Sequence, residues 1–205
     1  MENNRFTTAA ILAGGQSRRM GFDKFKLTIG SQRLLDAVTR QLAGVFSNII
    51  VVANSNELIP GPGVTLIRDT YPGLGPLAGI HAALRQADCD YVYVLACDMP
   101  EINLDYICFL KDKLQGRNFD AAMGKIAGKS EPFQAFYARR ILPLVEQNLF
   151  DRKLCLQDLI GQLDCLFADE KEIRRFSPEL SVYDNINTAK ELESYRQILA
   201  SRQPR

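Results

Sequence analysis

The sequence predicts an α/β protein: a Rossmann-like, mostly parallel, twisted sheet with helices on both faces. Apolar runs of strand length alternate with segments of helical period from Thr7 to Leu114, the pattern that parallel sheets with right-handed crossovers require. Two of the runs, NIIVVA at 48–53 and YVYVLA at 91–96, are continuously apolar, as strands buried on both faces are. Each run stops at a glycine or polar residue: Gly14-Gly15, Asn54, Asp69 and Asp98. In such sheets ligands bind outside the carboxyl ends of the strands.

In chain order, Thr7 to Ala13 reads as the first strand and Phe25 to Ile29 as a short extended piece. Leu34 to Phe46 carries apolar residues at Leu34, Leu35, Val38, Leu42 and Val45, the stripe of an amphipathic helix. Asn48 to Ala53 and Val64 to Arg68 are strands separated by the turn cluster PGPG at 60–63. The loop YPGLGPLAG leads into a helix from about Leu77 to Ala87, with a proline at its first turn. Tyr91 to Ala96 is a strand and Leu104 to Leu114 a helix. Asp120 to Ala127, Pro132 to Tyr137 and Cys165 to Ala168 read as strands, Arg139 to Leu149 and Leu154 to Leu163 as helices, and Ser181 to Ile186 as extended. Thr188 caps a last helix, Ala189 to Leu199, with Glu191 completing a capping box.

The 205 residues suit one domain over 1–205 with a core of about 6–199. A net charge of +1 argues against a broad nucleic-acid surface. No apolar run approaches the about 20 residues that cross a membrane, and no secretory signal is visible. Five cysteines without a C-x-x-C pair fit a reduced, cytoplasmic protein with buried thiols. A single histidine, His81, argues against a histidine-based metal site or a Ser-His-Asp triad.

The stretch AAILAGGQSRRMGFDK at 9–24 joins a strand to glycines and then to Arg18, Arg19 and Lys24. Glycines let the backbone approach an anion, successive N–H groups cradle oxygens, and Arg and Lys add charge. Neither the dinucleotide G-x-G-x-x-G nor the P-loop pattern is present. Asp98 follows the strongest strand and precedes Pro100 by two residues. It reads as a ligand of Mg²⁺, which takes one or two carboxylates plus phosphate oxygens, or as a cap on the next helix. Asp69 has the same two readings, and Asn187 reads as a ligand or as a turn residue. A basic glycine loop with a strand-end aspartate suits phosphoryl or nucleotidyl transfer, which needs positioning and charge neutralisation rather than a covalent nucleophile.

These residues resemble a known family. LAGGQSRRMGFDK is similar to the L-A-G-G-x-x-x-R-M-G-x-D-K signature of the molybdenum cofactor guanylyltransferases, and GPLAGIHAAL, ACDMP, EPFQAFY and DNINTAKEL follow in the family's order. The resemblance implies a single nucleotidyltransferase domain that transfers GMP from GTP to molybdopterin with Mg²⁺, releasing pyrophosphate. It implies that Leu12, Ala13, Gly14, Lys24 and Asp69 contact the nucleotide and that Asp98 binds both nucleotide and Mg²⁺. Arg19 would face the phosphates, and Asn187, with Asn185 nearby and Arg152, would stand on the pterin side. Molybdenum insertion proteins and molybdoenzyme-specific chaperones are the implied protein partners. Some members carry an asparagine where this chain has Val52. Two other readings stand beside this one: a CTP- or other NTP-dependent transferase for a phosphorylated sugar, alcohol or pterin, and a non-catalytic nucleotide-binding accessory protein. The LAGG form argues against the first, and the presence of Arg19, Lys24 and Asp98 against the second.

Overall fold

Apolar continuity decides the centre of the sheet. In the computed structural model, which describes residues 4–14, 27–29, 32–55 and 58–202, all five residues of β1 (Thr8–Leu12) are buried. So are all but the first of β4 (Asn48–Val52) and all but the last of β6 (Tyr91–Ala96). β1 lies between β4 and β6 and is parallel to both, with Leu12 opposite Val52 on one side and Ala96 on the other. β5 (Val64–Ile67) extends the sheet beyond β4, again in parallel. A two-stranded antiparallel ribbon, β2 (Thr28–Ile29) and β3 (Gln32–Arg33), stands apart from it.

The second half departs from a purely parallel plan. The sheet order is β10-β7-β9-β6-β1-β4-β5, where β7 is Ala121–Ile126, β9 is Ala135–Ala138 and β10 is Cys165–Asp169. β9 runs antiparallel to both β6 and β7, and the short β8 (Lys129–Ser130) forms a hairpin with β7. β10 is parallel to β7. The sheet is therefore mostly parallel, with one antiparallel strand wedged inside it.

Helices cover both faces. Tyr93 and Ala96 are three residues apart on β6, so they face opposite sides. Tyr93 stacks on Phe46 at 5.5 Å, just after α1 (Leu34–Leu42). The expected helix to Phe46 ends early, at Leu42. Gly44, a poor helix former, lies in the turn, and Phe46 is free to lie against the sheet. Leu12, in register with Ala96, meets the opposite layer at Gly79 of α2 (Pro76–Gln86), where an added Cβ would come within 3.1 Å of its methyl groups. α2 is buried from Leu77 through Leu84 because it lies between the sheet and α4 (Leu142–Phe150). The remaining helices are α3 (Leu104–Leu114), α5 (Leu156–Ile160), α6 (Glu170–Arg174) and α7 (Ala189–Arg202).

Two sequence expectations need correction here. Ser181 to Ile186 is not an extended strand. Leu180 adopts φ 61°, Ser181–Tyr183 forms a 3₁₀ turn, and Val182 is buried. The cysteines are not uniformly buried either, since Cys108 and Cys155 are exposed. Among the described residues no helix is long and apolar enough to cross a membrane.

The capping box at the last helix forms as the sequence expects. Glu191 N–H donates to Thr188 Oγ1 at 3.2 Å, and Glu191 Oε2 accepts from the amides of Asn187 (2.7 Å) and Thr188 (2.9 Å). The bond from the Asn187 amide, chiefly, holds the Glu191 carboxyl below its ordinary 4.5. Its contribution is present above that ordinary value and is lost as pH falls through the depressed one. Thr188→Ala is expected to lower stability by about 1 kcal/mol, read as a shift in the urea midpoint with an unchanged slope. Loss of exchange protection should be confined to the first turn of α7.

Candidate functional site

The topology creates a crevice before any side chain is considered. From β1 the chain moves outward to β4 and β5, then returns to the other side of β1 to form β6. The order therefore reverses beside β1, and the carboxyl ends of β1 and β6 flank the point where open sheets bind ligands. Leu12, Ala13 and Gly14 stand at the end of β1. The Ala13 amide donates to Val52 O (2.9 Å) and the Cys97 amide to Leu12 O (3.1 Å), so the strands stay zipped up to the rim. Gly14 is exposed, and a Cβ added to it would meet nothing within 4 Å among the described residues.

Asp98 lies two residues beyond β6, and only 5% of its surface is exposed. The backbone turns sharply there, with the Met99 amide on Ala96 O at 3.1 Å. Asp69 stands on the next part of the same edge, after β5. Its amide donates to Asn54 Oδ1 at 3.0 Å, and its own Oδ1 accepts from the Tyr71 amide at 2.7 Å. Asp69 thus organises the turn that follows it and does not cap α2, whose N-cap is Gly75. Burial raises its pKa, a shift opposed by the Tyr71 amide and by His81.

The loop from Asp69 reaches α2 through Gly73 (φ 85°) and Gly75 (φ 74°). Both φ values are positive, a range glycine adopts without the steric cost a Cβ brings. Pro76 then opens α2, which has no acidic residue in its first turn. α2 runs between the carboxyl end of β5 and the amino end of β6, so its positive amino end lies at the same edge as Asp69 and Asp98.

Asn187 reaches this edge from the far end of the chain. The Ile186 amide donates to Asp98 O at 2.8 Å, which sets Asn187 one residue from the aspartate's backbone partner. Beside it lies a surface cavity of about 480 Å³, lined by Pro100, Asp184, Asn185, Thr188, Lys190 and Tyr195 among others. Burial, followed by Glu101 and Glu191, raises the pKa of Asp184. Arg152 sits in the turn that ends α4, with φ 59°.

Leu12, Ala13, Gly14, Asp69, Asp98 and Asn187 therefore share one edge. Arg19 and Lys24 lie outside the described residues, as does most of the basic glycine loop. Among the described residues there is no cluster of three or more His, Cys, Asp or Glu side chains able to cage a metal. One buried hard-oxygen donor, Asp98, fits instead a magnesium ion that brings its own phosphate ligands.

Three residues contribute in roles not read from the sequence, where Asn54 stands as a strand end and His81 as the single histidine. Asn54 holds the Asp69 amide, and its place two residues after a strand was the available signal. His81, fully buried in α2, lies 3.2 Å from Glu146 Oε1 and packs edge-on against Tyr71, joining the Asp69 loop to α4. Gln134, inside the EPFQAFY motif, is fully buried behind the edge, and no local pattern marks it.

Comparison with known proteins gives a consistent result. A family model, the MobA-like NTP transferase domain, matches residues 9–166. The chain is 40% identical over 204 residues to the "Probable molybdenum cofactor guanylyltransferase" of Peptoclostridium acidaminophilum, covering 97% of this chain and 92% of that protein. It is 40% identical over 192 residues to the molybdenum cofactor guanylyltransferase of Syntrophotalea carbinolica, covering 94% and 91%. The crystal structure of molybdopterin-guanine dinucleotide biosynthesis protein A from Archaeoglobus fulgidus has the same fold. Its TM-score is 0.81 at 24% identity, with 95% of this chain and 100% of that one covered.

Proposed function

The chain belongs to the MobA-like NTP transferase family, and from that premise we propose that it transfers GMP from GTP to the terminal phosphate of molybdopterin in the molybdenum cofactor. The products are molybdopterin guanine dinucleotide and pyrophosphate. One observation carries the reading: a strand-end aspartate, Asp98, is buried at the switch point beside the Leu12-Ala13-Gly14 rim, and the Asn187 segment is bonded to its carbonyl.

In the transfer, an oxygen of the acceptor phosphate attacks the α-phosphorus of GTP. The bond from that phosphorus to the oxygen bridging to the β-phosphate breaks, and pyrophosphate leaves with the electron pair. The rim residues and Asp69 position the nucleotide, while the Asn187 segment positions the acceptor in line. Asp98 would hold Mg²⁺ together with phosphate oxygens. The ion would supply neutralisation of the charge developing on the leaving pyrophosphate. Arg19 and Lys24 are assigned to the same phosphates by the motif they occupy. The reaction takes place in the cytoplasm, between molybdenum insertion proteins that supply the acceptor and molybdoenzyme-specific chaperones that take the product.

The test is a thermal-shift titration with GTP, CTP, ATP and UTP, with and without Mg²⁺, followed by product analysis with molybdopterin. A ligand at a hundredfold excess over its Kd stabilises the fold by about 2.7 kcal/mol. A shift selective for GTP and formation of the guanine dinucleotide are expected. A CTP-selective shift with a cytidylylated product would move the chain to the cytidylyl branch. Lys24→Ala is expected to raise the KM for GTP about tenfold or more with little change in melting temperature. Normal nucleotide use by that variant would remove the loop assignment.

A further inference from the structure

We propose that Gln134 is a positioning residue for the transfer: it fastens the segment leading to Asn187 onto the loop that follows Asp98, so that acceptor and nucleotide are held in one geometry. The inference rests on the reading above of Asp98 as the nucleotide side and Asn187 as the acceptor side.

Gln134 stands just before β9 with φ 53° and no solvent exposure. A left-handed conformation costs a glutamine energy, and such residues persist where surrounding structure over-determines them. Here the side chain supplies that determination. Nε2 donates to Glu101 O at 2.8 Å and to Val182 O at 2.9 Å, while Oε1 accepts from the Tyr93 hydroxyl. Each bond reaches a different part of the chain. Tyr93 lies in β6, the strand that delivers Asp98. Glu101 lies three residues after Asp98, and Val182 five residues before Asn187.

Both amide protons are thus spent on carbonyls of segments that flank the site, Glu101 in the loop after Asp98 and Val182 in the 3₁₀ turn. A buried residue that only filled space would need neither bond. The Ile186 amide on Asp98 O is a second fastening between the same two segments. The primary amide fits this task because it offers two donors and an acceptor in one plane. An ionised glutamate could not donate, and a leucine or methionine would lose all three bonds.

The experiment compares wild type with Gln134→Met, which keeps length and apolar bulk. Releasing the acceptor-side Val182 segment from the Glu101 loop is expected to raise the KM for molybdopterin about tenfold or more, with the KM for GTP held within about twofold. Hydrogen exchange at the Ile186 amide should speed up by a similar factor, while amides of β1 and β6 keep their protection. Equal changes in both KM values with uniform loss of protection would mean a merely structural role and would overturn the proposal. So would an unchanged molybdopterin KM. Should the methionine variant not fold, Gln134→Glu takes its place. Its buried carboxyl donates one bond when protonated and none when ionised, so the molybdopterin KM should climb with pH relative to wild type; a parallel profile overturns the proposal. A wild-type protein that transferred no GMP would instead refute the proposed function, and the Ile186 exchange rate would then decide the role of Gln134 by itself.

Discussion

Asp98→Asn is expected to reduce GMP transfer by about 10³-fold or more and to leave the fold standing. The substitution removes the side chain's charge and keeps its size. Asparagine has the same shape, and the backbone bonds that shape this turn, Met99 to Ala96 O and Ile186 to Asp98 O, do not depend on the side chain. What disappears is the buried anionic oxygen that would bind Mg²⁺ beside the triphosphate. A neutral amide is a weak ligand for a hard cation, and the charge on the departing pyrophosphate would lose its main counterweight. Single-turnover transfer with saturating GTP measures the effect, and near-ultraviolet circular dichroism with a urea titration checks the fold. An Asn variant that turned over at the wild-type rate would end the assignment of Asp98 to the metal.

Gly124→Ala is expected to destabilise the protein by about 3 kcal/mol and to impair transfer from a distance. Gly124 is a buried residue of β7, and the hydroxyl end of the Tyr183 side chain lies against it. A Cβ there would come within 2.8 Å of Tyr183 Cζ and 3.1 Å of Ile173 Cδ1. The ring cannot swing away cheaply. Its hydroxyl shares a 2.6 Å hydrogen bond with the Tyr106 hydroxyl, in surroundings whose burial pushes both phenol pKa values up. Displacing Tyr183 would leave that pair broken in an apolar setting and drag the chain that leads to Asn187. The urea midpoint should fall sharply, with Asn187-dependent acceptor binding weakened further. Wild-type stability would show that Tyr183 has room to move.

Much of this was readable from residues alone, for a physical reason. β1, β4 and β6 are buried on both faces, so their apolar runs are unbroken. α3 is bounded by side chains that announce its ends, and its observed limits, Leu104–Leu114, coincide with the expected ones. Asp69 and Asp98 stand out because polar residues cannot continue such strands. The second half was harder. The antiparallel placement of β9 depends on partners in β6 and β7, and nothing within AFYA states a direction. α6 is five residues long and rests on a capping box, Asp169 with Glu172, too short for a helical period to show. The Ser181–Tyr183 turn follows from the fit of Tyr183 over Gly124, a contact between residues far apart in sequence. Gln134 was hidden for the same reason, since its partners come from three separate segments.

The central place of β1 also bears on how the protein is made. β1 is synthesised well before its partner β6, in which Val92 stands opposite Thr8. At ribosomal rates of about 5–20 residues per second the wait between them is on the order of ten seconds. Throughout it a strand that is apolar but for Thr8 has one edge unmatched, and pairings of such long range form slowly in any case. Nascent chains halted before Tyr91 should therefore be sticky and protease-sensitive, and the passage of β6 is the moment at which the sheet can close around its first strand.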